Sequence, residues 1–308
     1  MSHSPRVACG FLLLMIGSVV PAVGQTTTQY TVKYGNPPVT RYYAVTVPPA
    51  NVKVPNPAMI VTLHGTRYQS TPPTNYDYGW IYMCKQKGNG CIVVTPAATY
   101  DPVWKYYLWN ASFFDSGTFS KPRPPQTAYP DDIGFLRQLI TTLVPKYKAN
   151  PKKVFAVGFS SGAFMANRVA VQLSDLVAAV SVNSGTLDSQ KGMLGIPPPL
   201  KPISVMEFHG TADNDNVGVG PCTKTWLWNL TVLNKATVDD TFNYWTKQNA
   251  CTKKVTTRAL CSGFTNNDAT SCTGGTEVKF VWEQGVGHAY VTANNKTVWP
   301  WFLAHAKP

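Results

Sequence analysis

The sequence predicts an α/β protein with a mostly parallel central sheet and helices on both faces. Three observations carry that prediction. Short apolar runs alternate with amphipathic segments along the chain. Several of the runs are apolar on both faces, as strands covered by helices on both sides must be. No internal repeat of fixed period interrupts the alternation, and 308 residues suffice for one large core.

The elements follow in order. Residues 30–48 hold two short β-type runs, the clearer being Arg41–Val47. Ala58–Leu63 is a continuous apolar run that reads as a buried strand ending at His64-Gly65, and Cys91–Pro96 is another. Thr99–Ala128 is rich in Pro, Tyr and Trp without a clean period, and is expected to be a long functional loop. Residues 129–148 read as a helix, with Asp131 and Asp132 suited to the positive end of its dipole and a stripe of Ile133, Leu136, Leu139, Ile140 and Leu143. Strands are expected at 153–157, 176–182, 203–208 and 277–282, and helices at 163–173, 237–248 and 297–306.

The first 24 residues differ in kind. Arg6 precedes the apolar run Phe11–Ile16, and Pro21-Ala22-Val23-Gly24 supplies small residues for cleavage, so residues 1–24 read as a secretory signal peptide. The run is shorter than the roughly 20 residues that span a bilayer. Residues 25–308 are then expected to form a single catalytic domain, secreted and monomeric, with no membrane segment. Cysteine usage agrees: of seven Cys, Cys9 lies in the signal and six remain. Local loop closure suggests Cys84–Cys91, Cys222–Cys251 and Cys261–Cys272 as pairs. Lacking C-x-x-C and His-rich tracts, these residues do not suggest a metal site. Asn110, Asn229 and Asn295 begin glycosylation acceptor triplets. The net charge of +12 is dispersed rather than clustered, so no nucleic acid partner is expected; it suits an acidic polysaccharide or serves solubility.

The chemistry centres on Gly158-Phe159-Ser160-Ser161-Gly162, which follows an apolar strand and opens a helix. That is the context a G-x-S-x-G nucleophile needs, with Ser160 on a sharp strand-to-helix turn. A serine hydroxyl needs a base, and the Ser–acid–His order of such chains excludes His64, which precedes Ser160. His288, beside Gly285 and Gly287, is the expected base, with His209 the alternative. Asp213 or Asp215, in the loop after the 203–208 strand, can orient the imidazolium. The oxyanion donors are expected to be the N–H groups of Ser161 and of Thr66, in Leu63-His64-Gly65-Thr66. Tyr100, Trp104, Tyr106, Tyr107 and Trp109 crowd one loop, and Trp226 and Trp228 another. Of these, Trp104, Tyr107, Trp109 and Trp226 are the expected substrate-binding residues.

These pieces resemble, in sequence order from about residue 58 onward, the extracellular feruloyl esterases and polyhydroxybutyrate depolymerases of the α/β-hydrolase fold. They are Leu63-His64-Gly65-Thr66, Asp131–Leu136, Val157–Ala163, His209-Gly210-Thr211-Ala212-Asp213 and Gly287-His288. The resemblance implies that Asp213, rather than Asp215, is the catalytic acid. It also implies a serine carboxylesterase needing no metal or organic cofactor. The expected substrate is a polysaccharide-linked or polymeric ester, first a hydroxycinnamate on plant cell wall. A polyester or an acetylated xylan is the alternative, and a non-catalytic wall-binding homologue is the reading of another class. Thr99–Ala128 and Val217–Lys235 look peculiar to this chain.

Overall fold

The computed structural model describes residues 15–16, 20–22, 25–67, 76–101, 105–111, 130–187, 196–213, 238–257 and 266–308. Its main sheet has twelve strands. They are β1 (Met15–Ile16), β2 (Val20–Ala22), β3 (Gln25–Tyr34), β4 (Val39–Val47), β5 (Met59–Leu63), β6 (Ile92–Pro96), β9 (Val154–Phe159), β10 (Ala179–Asn183), β11 (Ser204–Gly210), β12 (Lys253–Thr257), β13 (Asn266–Thr270) and β14 (Val278–Glu283). The intervening β7 (Thr99–Asp101) and β8 (Tyr106–Leu108) make a separate hairpin inside what the sequence suggested was only loop.

The strand order is β1-β3-β4-β6-β5-β9-β10-β11-β14-β13-β12, with β2 also on β3. From β6 to β14 all neighbours are parallel, and antiparallel strands flank them on both sides. The expected mostly parallel sheet is therefore present.

Alternation along the strands feeds two cores. Met59, Val61, Val154, Ala156, Val180, Val182 and Val205 point to one face. There they meet α2 (Asp132–Lys146), α3 (Ser161–Gln172) and α4 (Val238–Gln248). Ile60, Val93, Phe155, Val157, Met206 and Phe208 point to the other face, against α1 (Trp80–Cys84) and α5 (Asn295–Ala304). Phe155 stacks on Phe302 with centroids 4.5 Å apart. Two covered faces explain why the central strands are largely apolar.

The two aspartates at the start of α2 do more than face a dipole. Asp131 caps the helix by accepting from the Gly134 N–H at 2.8 Å. Asp132 is buried and pairs with buried Arg41 at 2.6 Å, while its other oxygen accepts from the Asn110 N–H. The contact ties β4, α2 and the segment after β8 together.

Cys84–Cys91 is bonded as expected. The second observed bond is Cys251–Cys272, which overturns the pairings Cys222–Cys251 and Cys261–Cys272. The antiparallel register of β12 and β13 sets Lys253 opposite Thr270, so residues 251 and 272 meet just beyond the ladder. Both strands are polar (Lys253-Lys254-Val255-Thr256-Thr257 and Asn266-Asn267-Asp268-Ala269-Thr270), so no apolar pattern announced the hairpin. Cys222 and Cys261 lie outside the described residues. No helix among the described residues is long and apolar enough to cross a membrane.

Candidate active site

The chain runs from β5 to β6 on one side and then crosses to β9 on the other, so the sheet reverses its winding beside β5. Crevices at the carboxyl ends of such strands are where α/β folds bind ligands. The loops leaving β5 and β9 carry Gly65-Thr66 and Ser160.

Ser160 sits between β9 and α3 with φ 55° and ψ −122°, a conformation that side chains rarely adopt. Its N–H donates to the Asn183 carbonyl at the end of β10. A side chain at Gly158 would lie 2.0 Å from the Gly162 carbonyl oxygen, and one at Gly162 would lie 2.0 Å from that of Leu63. The turn is closed on both sides by backbone. Gly65 packs directly on the serine, its missing Cβ only 3.1 Å from Ser160 Cβ. Ser161 opens α3, where the first amides of a helix have no intrahelical acceptor.

Downstream residues converge here. The His288 Nδ1 lies 2.9 Å from Asp213 Oδ2, the carboxylate being fully buried. The Phe159 ring lies 4.9 Å from the His288 ring, which sets the imidazole beside the residue before Ser160. The loop bearing His288 is laced to the loop bearing Asp213. Ala212 N–H donates to the Val286 carbonyl, Thr211 N–H to the Glu283 carbonyl, and Gly285 N–H to Thr211 Oγ1. Gly210 permits this, since a side chain there would lie 2.1 Å from the Val286 oxygen. With Nδ1–H directed at Asp213, Nε2 is the nitrogen left to accept a proton.

No family model matches the chain. Several relatives are similar to part of it. Feruloyl esterase B of Piromyces equi is 30% identical over 162 residues, which is 52% of this chain and 29% of that protein. The probable acetylxylan esterase A of Aspergillus clavatus is 28% identical over 168 residues, 54% of this chain and 48% of that protein. The chain thus matches less than half the length of either. Among solved structures, the acetyl xylan esterase from Aspergillus awamori superposes with a TM-score of 0.53 at 18% identity, over 85% of this chain and 94% of that one. The chain has the α/β-hydrolase fold. Its resemblance to the feruloyl esterases is borne out, with acetylxylan esterases beside them.

Other expected residues fare differently. Trp109 is not a ligand platform. It is 1% exposed, and its indole N–H donates to the His64 carbonyl at 2.8 Å beneath the loop. Tyr107 is half-buried in the β7–β8 hairpin, which bonds to Arg67 through both of its backbone groups. Trp104, Asp215, Trp226 and Trp228 lie outside the described residues. Asn295 cannot carry a glycan in this fold. It is 1% exposed, its amide donates to the Tyr78 carbonyl, and its oxygen accepts from the Tyr290 hydroxyl. Asn229 lies outside the described residues, whereas Asn110 is part-buried.

His209, the alternative base, is fully buried behind Asp213, with Nε2 3.4 Å from the same Oδ2 that faces His288. Its ring lies 5.6 Å from that of Trp282. An imidazole sealed there cannot reach an ester at Ser160. Among the described residues no group of three His, Cys, Asp or Glu side chains is placed to hold a metal ion. A cavity of about 500 Å³ near Lys201 and Lys307 lies at the amino ends of β10 and β11, away from this chemistry.

Glu207 lies two residues before His209 on the same face of β11 and is buried, with no partner for Oε1. Burial, and secondarily Asp239, push its carboxyl well above the usual 4.5. A pKa raised on folding gives stability that is full below 4.5 and declines as pH rises toward the folded value. Glu207→Gln is neutral at every pH. It should therefore gain stability over the wild type between pH 4 and 8, by at most about 1.4 kcal/mol per pH unit. Melting curves at both pH values check this; an equal gap at the two would refute it.

Proposed function

We propose that this hydrolase is a secreted serine carboxylesterase that releases hydroxycinnamates from plant cell-wall polysaccharide. In this reading residues 1–24, which include β1 and β2, are a signal peptide removed on export, and residues 25–308, which include the other ten strands of the main sheet, are one catalytic domain. The observation that carries it is the Asp213–His288 pair set beside a strained Ser160 on which Gly65 packs directly. Two disulfides among the described residues suit an oxidising, extracellular setting.

In the first step Ser160 Oγ attacks the ester carbonyl carbon while His288 Nε2 takes the hydroxyl proton. Asp213 stabilises the imidazolium. The carbonyl oxygen becomes an oxyanion received by the Thr66 and Ser161 N–H groups. Collapse breaks the carbon–oxygen bond to the alcohol, which leaves with the proton from His288. Water then attacks the acyl-enzyme by the same route and frees the acid, restoring Ser160.

The substrate preference is argued from the surface beside the β5 loop. Tyr100 is 51% and Tyr42 37% exposed, and Tyr100 and Tyr107 meet edge to face at 5.6 Å. The hairpin carrying two of these rings is bonded to Arg67, next to Thr66. Tyrosines displayed on a tied-down hairpin suit stacking on sugar or phenolic rings. A second reading, removal of acetyl groups from xylan, is favoured by the similarity to acetylxylan esterases. Purified protein should release ferulate from feruloylated arabinoxylan faster than acetate from acetylated xylan or monomer from a polyester film. A fluorophosphonate should label the Ser160 peptide. Faster acetate release would transfer the assignment to the second reading, and absence of label would remove the esterase reading altogether.

A further inference from the structure

His64 and Tyr78 have no part in the proton transfers above, yet both grip the loop that offers the oxyanion donor. The Gly65 N–H donates to the Tyr78 hydroxyl at 3.0 Å. The Gly65 carbonyl lies 2.6 Å from His64 Nδ1, and His64 Nε2 lies 3.0 Å from the Ala98 N–H. A ring nitrogen that accepts from an amide carries no proton, so Nδ1 bears it and donates to Gly65. Burial supports that single neutral form, pushing the His64 pKa down to about 4. The C=O and N–H of a trans peptide point in opposite directions. Drawing the Gly65 carbonyl toward His64 therefore turns the Thr66 N–H away from it. Among the described residues that N–H has no acceptor, and Gly65 lies on Ser160.

Tyr78 is itself held from the base side of the site. It stacks on Tyr290 at 4.6 Å and meets Phe159 edge-on at 5.9 Å, and its carbonyl accepts from Asn295 Nδ2. Tyr290 is two residues beyond His288. One tyrosine thus joins the oxyanion loop, the residue before the nucleophile and the loop of the base.

We infer that His64 and Tyr78 are positioning residues that aim the Thr66 N–H at the carbonyl oxygen of an ester on Ser160. This rests on the reading of Ser160 and Thr66 given above. The test compares His64→Leu, His64→Asn and Tyr78→Phe on a nitrophenyl ester, with the active fraction of each counted by fluorophosphonate labelling of a separate sample. Both His64 variants lose the acceptor for Ala98, but the asparagine amide can still donate to Gly65. A merely structural histidine therefore predicts equal losses. A positioning histidine predicts a fall in kcat of roughly 10- to 100-fold for His64→Leu at nearly constant KM, largely rescued in His64→Asn. Tyr78→Phe, which removes a single oxygen, should also lower kcat several-fold without raising KM. If His64→Leu does not fold, Tyr78→Phe decides. Equal kcat losses in the two His64 variants, or wild-type kcat in Tyr78→Phe, overturn the inference. Failure of the fluorophosphonate to label even the wild type defeats the reading of Ser160 instead.

Discussion

Asp213→Asn should lower kcat/KM for an activated aryl ester by about 10⁴-fold while the protein stays folded. The Asp213 carboxylate is fully buried, and its Oδ2 faces His288 Nδ1 at 2.9 Å. That contact holds the proton on Nδ1 and leaves Nε2 as the acceptor for the serine hydroxyl. An asparagine amide fits the same space but can turn its NH2 toward Nδ1, which fixes the wrong tautomer. His209 Nε2, 3.4 Å from the same oxygen, worsens the conflict, because one amide oxygen must then serve two imidazoles. The loss should appear in kcat with little change in KM, and labelling of Ser160 by a fluorophosphonate should slow in parallel. A fall of less than tenfold would mean that another group orients His288. A melting temperature many degrees below the wild type would assign the effect to packing.

The parts of the site legible in the sequence are those that local sterics or burial impose. A strand covered on both faces is largely apolar, so β5, β6 and β9 announce themselves in Met59–Leu63, Ile92–Pro96 and Val154–Phe159. The elbow is legible because its glycines are forbidden side chains by neighbouring backbone. Contacts between distant segments were not legible. Nothing near Gly65 in sequence points to Tyr78, and residue order set His64 aside as a base without revealing its hold on Gly65. Aromatic density could not separate Trp109, sealed under the loop, from Tyr100 on the surface, because both are aromatic residues in one irregular segment. Nor did the acceptor triplet at Asn295 carry any sign that its amide is buried against Tyr78 and Tyr290. The choice between Asp213 and Asp215 came from family resemblance; the structure brings Asp213 onto His288 through the lacing of Thr211, Ala212 and Gly285.

Gly162→Ala should abolish soluble folded protein, or destabilise it by at least about 4 kcal/mol. The added methyl would lie 2.0 Å from the Leu63 oxygen, 2.5 Å from its carbonyl carbon and 2.7 Å from the His64 oxygen. All three are backbone atoms at the end of β5, which is pinned between β6 and β9 on both edges. No side chain can swing aside to relieve the clash, and moving α3 outward would open the core that Ala163, Met165 and Ala166 fill. Gly287→Ala is the natural control, since its nearest neighbour is 3.7 Å away, and it should fold normally. Gly65→Ala falls between: its methyl would press on Ser160 Cβ at 3.1 Å, so the protein should fold but lose activity. Soluble expression, melting temperature and ester hydrolysis of the three variants should therefore separate fold from function. The closeness of α3 to β5 that leaves no room for a methyl at 162 is also what lets the Gly65 loop rest on Ser160. A well-folded Gly162→Ala with full activity would show that β5 and α3 can part without disturbing the site, and that the elbow does not couple the two.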